Sequence, residues 1–219
     1  MRSSARSAAV AVALLMAAAD CAAQGIGGTV QPRTKAAAED WSFSASGSYY
    51  SLRDQSDYLM AVGTAERGSL LLEARYNYEA LNTGSAFVGW KFSGGDKLTY
   101  ELTPMLGAVF GATQGIAPGF KASLAYGIVD FYTEAEYLYD TKVRENSFTY
   151  AWSELGVTPA KWLRFGVVGQ RTRAYRSDRD IQRGPFVQFV AGKATLGLFV
   201  FNPDDRANRI GVLSLGLEF

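Results

Sequence analysis

Seven ionisable side chains, Glu73, Arg75, Glu101, Lys121, Glu134, Glu136 and Arg164, stand at polar positions of segments in which apolar and polar residues alternate. Much familiar chemistry is closed to them. The 219 residues include no histidine, and the single cysteine, Cys21, lies at the end of an apolar N-terminal stretch. Hydrolysis that uses imidazole as a base, or to activate a nucleophile, cannot be assembled, and neither can a His- or Cys-ligated metal site. No enzyme, no cofactor and no metal are therefore expected. Carboxylates could still hold Ca²⁺ weakly, but Asp204 with Asp205, and Asp178 with Asp180, are interleaved with arginine and read as solvated loop charge. What four acids and three bases on one side of a wall can do is set a field. Around water they would select ions, and in a dry interior they would join one part of the wall to another.

The elements that carry these groups are short and alternate with a period of two, the signature of strands with one apolar face. Twelve such segments can be drawn: 41–50, 57–65, 69–79, 85–92, 97–109, 117–127, 129–140, 147–157, 161–172, 184–191, 193–201 and 209–219. The third is the clearest, with Leu70, Leu72, Ala74, Tyr76 and Tyr78 on one face and Leu71, Glu73, Arg75, Asn77 and Glu79 on the other. The second and eighth cannot be phased; in the eighth, Tyr150 and Trp152 share their parity with Glu154. Pro104 and Pro118 cannot donate to a ladder, so the hairpin of segments five and six is expected to be irregular. Lys121 is expected between Glu101 and Glu134 or Glu136, as a ladder of charges on adjacent strands. The opposite wall, with Ser42, Ser44, Ser46 and Ser48 beside Ser214, Gly216 and Gly197, is small and leaves space to be filled.

Before residue 40 the pattern differs. Arg2 and Arg6 precede an uncharged run over 7–19, and Cys21-Ala22-Ala23 offers small residues for cleavage, so 1–23 reads as a secretory signal peptide. Its apolar core is too short for a membrane helix, which needs about 20 residues. Residues 24–39 read as a tail in the periplasm, and 40–219 as the folded unit. Cleavage would remove Arg2, Arg6 and Asp20 and leave 20 basic and 20 acidic side chains. That balance gives no reason to expect nucleic acid as a partner. Hydrophobic residues make up 48% of the chain, with 13 Phe, 12 Tyr and 4 Trp, yet beyond the signal no apolar run is long enough for a spanning helix.

The last segment makes the pattern specific. In RIGVLSLGLEF, Leu213, Leu215, Leu217 and Phe219 face one way and Val212, Ser214, Gly216 and Glu218 the other. A terminal strand of this kind that stops on Phe resembles those of bacterial outer-membrane β-barrels, which hydrocarbon surrounds on one face and which enclose a lumen on the other. The resemblance implies a transmembrane antiparallel up-and-down barrel, with Phe219 as the signal read by the barrel-assembly machinery. The expected fold is all-β with twelve strands, ten being the alternative count. Turn lengths agree: 66–68, 93–96, 128, 158–160 and 192 are short, as periplasmic turns should be, and alternate with moderately longer outer loops at 51–56, 80–84, 110–116, 141–146, 173–183 and 202–208. A soluble sandwich or closed barrel would show no such alternation.

In overall plan the chain is similar to the small monomeric twelve-stranded channels for acidic sugars or nucleosides. Those for acidic sugars carry tracks of basic residues, whereas four acids face three bases here, so anion selectivity does not carry over. The expectation is a monomer in outer-membrane lipid, forming a narrow passive pore for small polar solutes lined by the seven charged residues. The alternative is a non-conducting structural or surface-interaction barrel. The phase of the third segment also predicts that Arg75→Leu, on the lumen side, is much milder than Leu72→Arg on the lipid face.

Overall fold

The computed structural model describes residues 40–53, 56–174 and 180–219, the side chains of 172–174 and 180 excepted. The expected signal peptide and tail lie outside the described residues, as does Asp178. Twelve antiparallel strands follow one another round a ring: β1 Ser42–Leu52, β2 Tyr58–Arg67, β3 Leu70–Tyr76, β4 Thr83–Trp90 with its continuation Phe92–Gly95, β5 Leu98–Gly111, β6 Gly115–Tyr126, β7 Val129–Asp140, β8 Phe148–Ala160, β9 Leu163–Ala174, β10 Asp180–Ala191, β11 Ala194–Phe201 and β12 Ile210–Glu218. Each pairs with its neighbours in sequence, and β1 pairs with β12, so the sheet closes on itself. Closure leaves no free edge.

The ends of this barrel differ. At one, five connections are of two residues each: Gly68-Ser69, Asp96-Lys97, Gly127-Ile128, Lys161-Trp162 and Gly192-Lys193. Gly68, Gly127 and Gly192 have φ of 58°, 60° and 62°, the left-handed first position that a type II′ hairpin needs and glycine adopts without a Cβ penalty. Both described chain ends lie at this turn end, where the Phe219 N–H donates to the Phe43 carbonyl at 2.9 Å. The other, loop end carries connections of three to eight residues. The alternation expected from the sequence is present, each short turn having two residues where the pattern suggested between one and four.

Alternation also sorts the faces. The exterior exposes Leu72, Val88, Leu102, Leu106, Leu124, Phe131, Leu155, Val167, Leu196, Leu213 and Leu215 between two aromatic rings. Trp41, Phe43, Trp90, Phe92, Tyr126, Trp162 and Phe189 form the ring at the turn end; Tyr49, Tyr76, Phe110, Tyr137 and Tyr139 form the other. The interior buries carboxylates, arginines and aromatics together.

Three details depart from the expected segments. The β5–β6 hairpin is regular from Leu98↔Tyr126 to Val109↔Gly115 despite its two prolines. The missing N–H groups interrupt its flanks instead: β4 breaks at Lys91, where Trp90 faces Pro104, and Ala117 and Pro118 drop out of the ladder with β7. β10 begins at Asp180 rather than 184. The third departure is at Asn77, whose φ of 55° ends β3 and breaks the alternation. Tyr78 therefore turns into the barrel, 3% exposed, and not onto the apolar exterior. Asn77 holds the bend with its Nδ2 donating to the Leu59 carbonyl and its Oδ1 accepting from the Asn82 N–H, so the loop over 77–82 folds inward.

Candidate functional site

The interior is the place where charge, burial and convergence of strands coincide. In its loop-end half, side chains from all round the ring meet. Trp152 on β8 packs edge-on against Phe199 and Phe201 of β11, ring centroids 5.7 and 5.3 Å apart. Tyr50 of β1 stacks on Tyr58 of β2 at 4.8 Å. Trp152, Tyr50, Tyr150, Phe201 and Leu138 are each 0% exposed, so this half is filled by its own side chains. The ambiguous strands are resolved by the same packing: Tyr58 and Met60 of β2, and Tyr150, Trp152 and Glu154 of β8, all face inward.

Below the aromatics, Arg75 bridges the lumen from β3. Its guanidinium donates to Glu73 Oε1 at 2.5 Å and to Glu136 Oε2 of β7 at 2.9 Å, four strands away, and approaches Glu79 Oε1 at 3.4 Å. It lies 3.8 Å from the Tyr78 ring centroid and 4.0 Å from that of Phe87. Guanidinium suits this place because it offers several donors in one plane and stacks on aromatic faces. Tyr78 and Tyr132 donate to the two oxygens of Glu134 at 2.5 and 2.7 Å, and Ser85 donates to Glu79 at 2.7 Å. Lys121 reaches across from β6 to Glu73 Oε2.

A second bridge centres on Arg164 of β9. Its Nη2 and Nε donate to Asp130 Oδ2 at 2.6 and 3.0 Å, and its Nη1 donates to Glu154 Oε2 at 2.5 Å and Gln188 Oε1 at 2.8 Å. The Phe186 ring lies against it, 4.7 Å from centroid to guanidinium carbon, and Trp152 Nε1 donates to Glu154 at 3.0 Å. Gly156 makes room: a Cβ there would stand 2.7 Å from Arg164 Nε and 2.8 Å from Asp130 Oδ2.

The turn end, closed on the side of β7 and β9 by Asp130 and Arg164, is open on the other side. Ser42, Ser44, Ser46, Thr64, Glu66, Lys91, Thr99 and Ser123 face inward and remain half-exposed, while Glu101 is exposed. They form a polar vestibule whose floor includes the Lys121 side chain, 23% exposed. Ser44 and Thr64 share a hydrogen bond at 2.5 Å, and Lys91 pairs with Glu66 at 2.6 Å across its wall.

Of the seven residues singled out by sequence, Glu73, Arg75, Glu134, Glu136 and Lys121 meet in one network, Arg164 centres the other, and Glu101 joins neither. The expected placement of Lys121 holds in register, directly opposite Glu134 and diagonal to Glu101, but the ion pair it forms is a different one. Glu101 stands opposite Ser123 at the open mouth, and the ammonium of Lys121 leaves its own wall for Glu73. Asp130, Glu154, Glu79, Tyr78 and Tyr132 were missed. The signal for Asp130 and Glu154 was their shared parity with Tyr132 and Trp152; Tyr78 could not be found by parity, because Asn77 breaks it. No protein-family model and no curated protein matches the chain. Among the described residues, no group of three or more carboxylates is arranged to hold a metal ion.

The described site offers a wall-to-wall plug of aromatic rings and two arginine-centred ion clusters, above a polar vestibule open at the turn end.

Proposed function

We propose that this chain is a bacterial outer-membrane barrel that does not conduct: a structural or surface-interaction protein with a plugged lumen. The membrane part of the reading rests on the exterior. An apolar band between two aromatic rings, with polar and ionised groups turned inward, is the reverse of a water-soluble protein and suits hydrocarbon flanked by two interfaces. Short turns on the side of both chain ends would then be periplasmic and the longer loops would face outward.

The observation that carries the non-conducting part is the burial of Trp152, Tyr50, Tyr150 and Phe201 in one layer. A passive pore would need that layer to open, and the Arg75–Glu136 bridge opposes it by joining β3 to β7. The vestibule supports a cup that solutes enter from the periplasmic side and leave the same way. Planar-bilayer recording of the purified protein tests this reading, with silence expected. Insertion is checked separately by the gel shift on heating that folded barrels show and by recovery in the outer-membrane fraction.

A further inference from the structure

The exterior has one region that breaks its own rule. Between the aromatic rings, the only charged side chains that the described strands turn outward are Arg171 of β9 and Arg183 of β10, both exposed. Arg183 stands opposite Gly169, and Arg171 opposite Ile181, so the two arginines are diagonal neighbours on one face. Diagonal positions in a sheet are about 7 to 8 Å apart, close enough for two cations to repel where lipid replaces water. No carboxylate among the described residues pairs with either.

Their surroundings are also exceptional. The row through Arg183 runs across Gly169, Ser153 and Thr133, and the row through Arg171 runs across Ala151 and Ala135. Side chains there are small, and Thr133 and Ser153 place two hydroxyls on the exterior, 3.0 Å apart. A shallow polar notch thus lies beside the arginine pair. Its height is set by register: Ala135, level with Arg171, is one outward position from Tyr137 of the loop-end aromatic ring.

We propose that Arg171 and Arg183 bind the phosphate of a phosphorylated lipid in the outer leaflet, with the notch over Gly169, Ser153 and Thr133 receiving its head group. The inference rests on the membrane reading above. A phosphate between the two guanidiniums removes their repulsion and accepts from both, the geometry in which arginine recognises phosphate best. A head group at this depth lies where an arginine on a barrel exterior is tolerated, close to the interface and away from mid-bilayer.

The test uses the full chain refolded into phosphatidylcholine nanodiscs, titrated with diphosphoryl lipid A, with its enzymatically dephosphorylated form, and with inorganic phosphate. Lipid A is expected to bind, removing both phosphates should weaken binding at least tenfold, and inorganic phosphate at the same concentration should not compete. The R171A/R183A variant should lose the preference for the phosphorylated form, and R171K/R183K should keep part of it. Equal binding of the two lipid forms by the unaltered protein overturns the proposal even if the variants fail to fold. Competition by inorganic phosphate overturns the lipid as the source. Failure of the unaltered protein to enter nanodiscs would instead overturn the membrane reading and this inference with it.

Discussion

The two halves of the interior are built from the same alternation and differ in what stands on it. At the loop end the inward positions carry Tyr50, Tyr58, Met60, Tyr150, Trp152 and Phe201, large enough to meet at the axis; at the turn end those of β1, β2, β5 and β6 carry mainly serine and threonine, which stop near the wall, while Asp130 and Arg164 on β7 and β9 pair and are buried. Charge follows burial. Arg75, with Glu73, Glu79 and Glu136, is buried and fixed by partners from several strands, whereas Glu101, on the same inward parity of its strand, faces the open mouth. Parity decides which face a residue takes, but side-chain volume at the other inward positions decides whether that face is wet. An ionised group in the dry half is part of the packing, and its removal leaves its partners buried with less opposite charge around them.

Four substitutions and one change of pH sharpen that contrast, from the largest effect to the smallest. Arg75→Met should destabilise most, by about 3 to 5 kcal/mol, because Glu73, Glu79 and Glu136 are left as buried acids without their shared cation. Urea unfolding of the protein in lipid vesicles reads this, and a loss no greater than that of a surface change would show the dry half to be wet. Trp152→Ala removes the ring against which Phe199 and Phe201 pack, at a cost of about 3 to 5 kcal/mol at most and less if the aromatics close in. The same variant should leak small ions across liposomes that the unaltered protein leaves tight.

Glu134→Ala should come next, at about 1 to 3 kcal/mol, since the Tyr78 and Tyr132 hydroxyls both lose their acceptor. Glu101→Gln, by contrast, should stay within about 0.5 kcal/mol. Comparable losses from these two glutamates would erase the distinction between the halves. The smallest effect belongs to a loop outside the barrel wall. The Asn208 side chain, followed by the Ala207 N–H, hydrogen-bonds Asp205 and holds its carboxyl below the ordinary value of 3.8. A lowered carboxyl stabilises the loop above that ordinary value and stops doing so as pH falls through the value in the folded loop. Faster hydrogen exchange at Ala207 and Asn208 is therefore expected only below about pH 4, with the barrel amides unchanged; a loop equally protected at pH 3 and pH 6 would contradict it.

Most of the fold was legible because a barrel wall repeats a local rule. The period of two marked most of the twelve strands, though the second and eighth had no clear phase and the third was drawn past Tyr76, and the lengths of the connections gave the count before any pairing was known. β10 was drawn four residues short, since Asp180, Gln182 and Arg183 look like loop residues until Arg183 is seen on an exterior whose charge the pattern did not predict. The site was less legible. Glu73, Glu134 and Glu136 could be assigned to the inward face by parity, but Lys121 could not be assigned to Glu73, because a cross-lumen partner depends on how far side chains reach over a ring. Arg75→Leu looked mild for the same reason: parity placed Arg75 inside without revealing that Phe87, Tyr78 and three carboxylates surround it. Asn77 shows the limit most sharply. One left-handed residue turned Tyr78 from an expected exterior aromatic into the donor that ties the β3–β4 loop to Glu134.

The central claim is that the barrel's own side chains plug its lumen. Its most direct test is single-molecule current recording of the purified protein in a planar bilayer at neutral pH, with Trp152→Ala recorded alongside to show that inserted barrels can be detected. The account predicts no unitary steps from the unaltered protein and measurable current from the variant. Steady, well-resolved steps from the unaltered protein would contradict it.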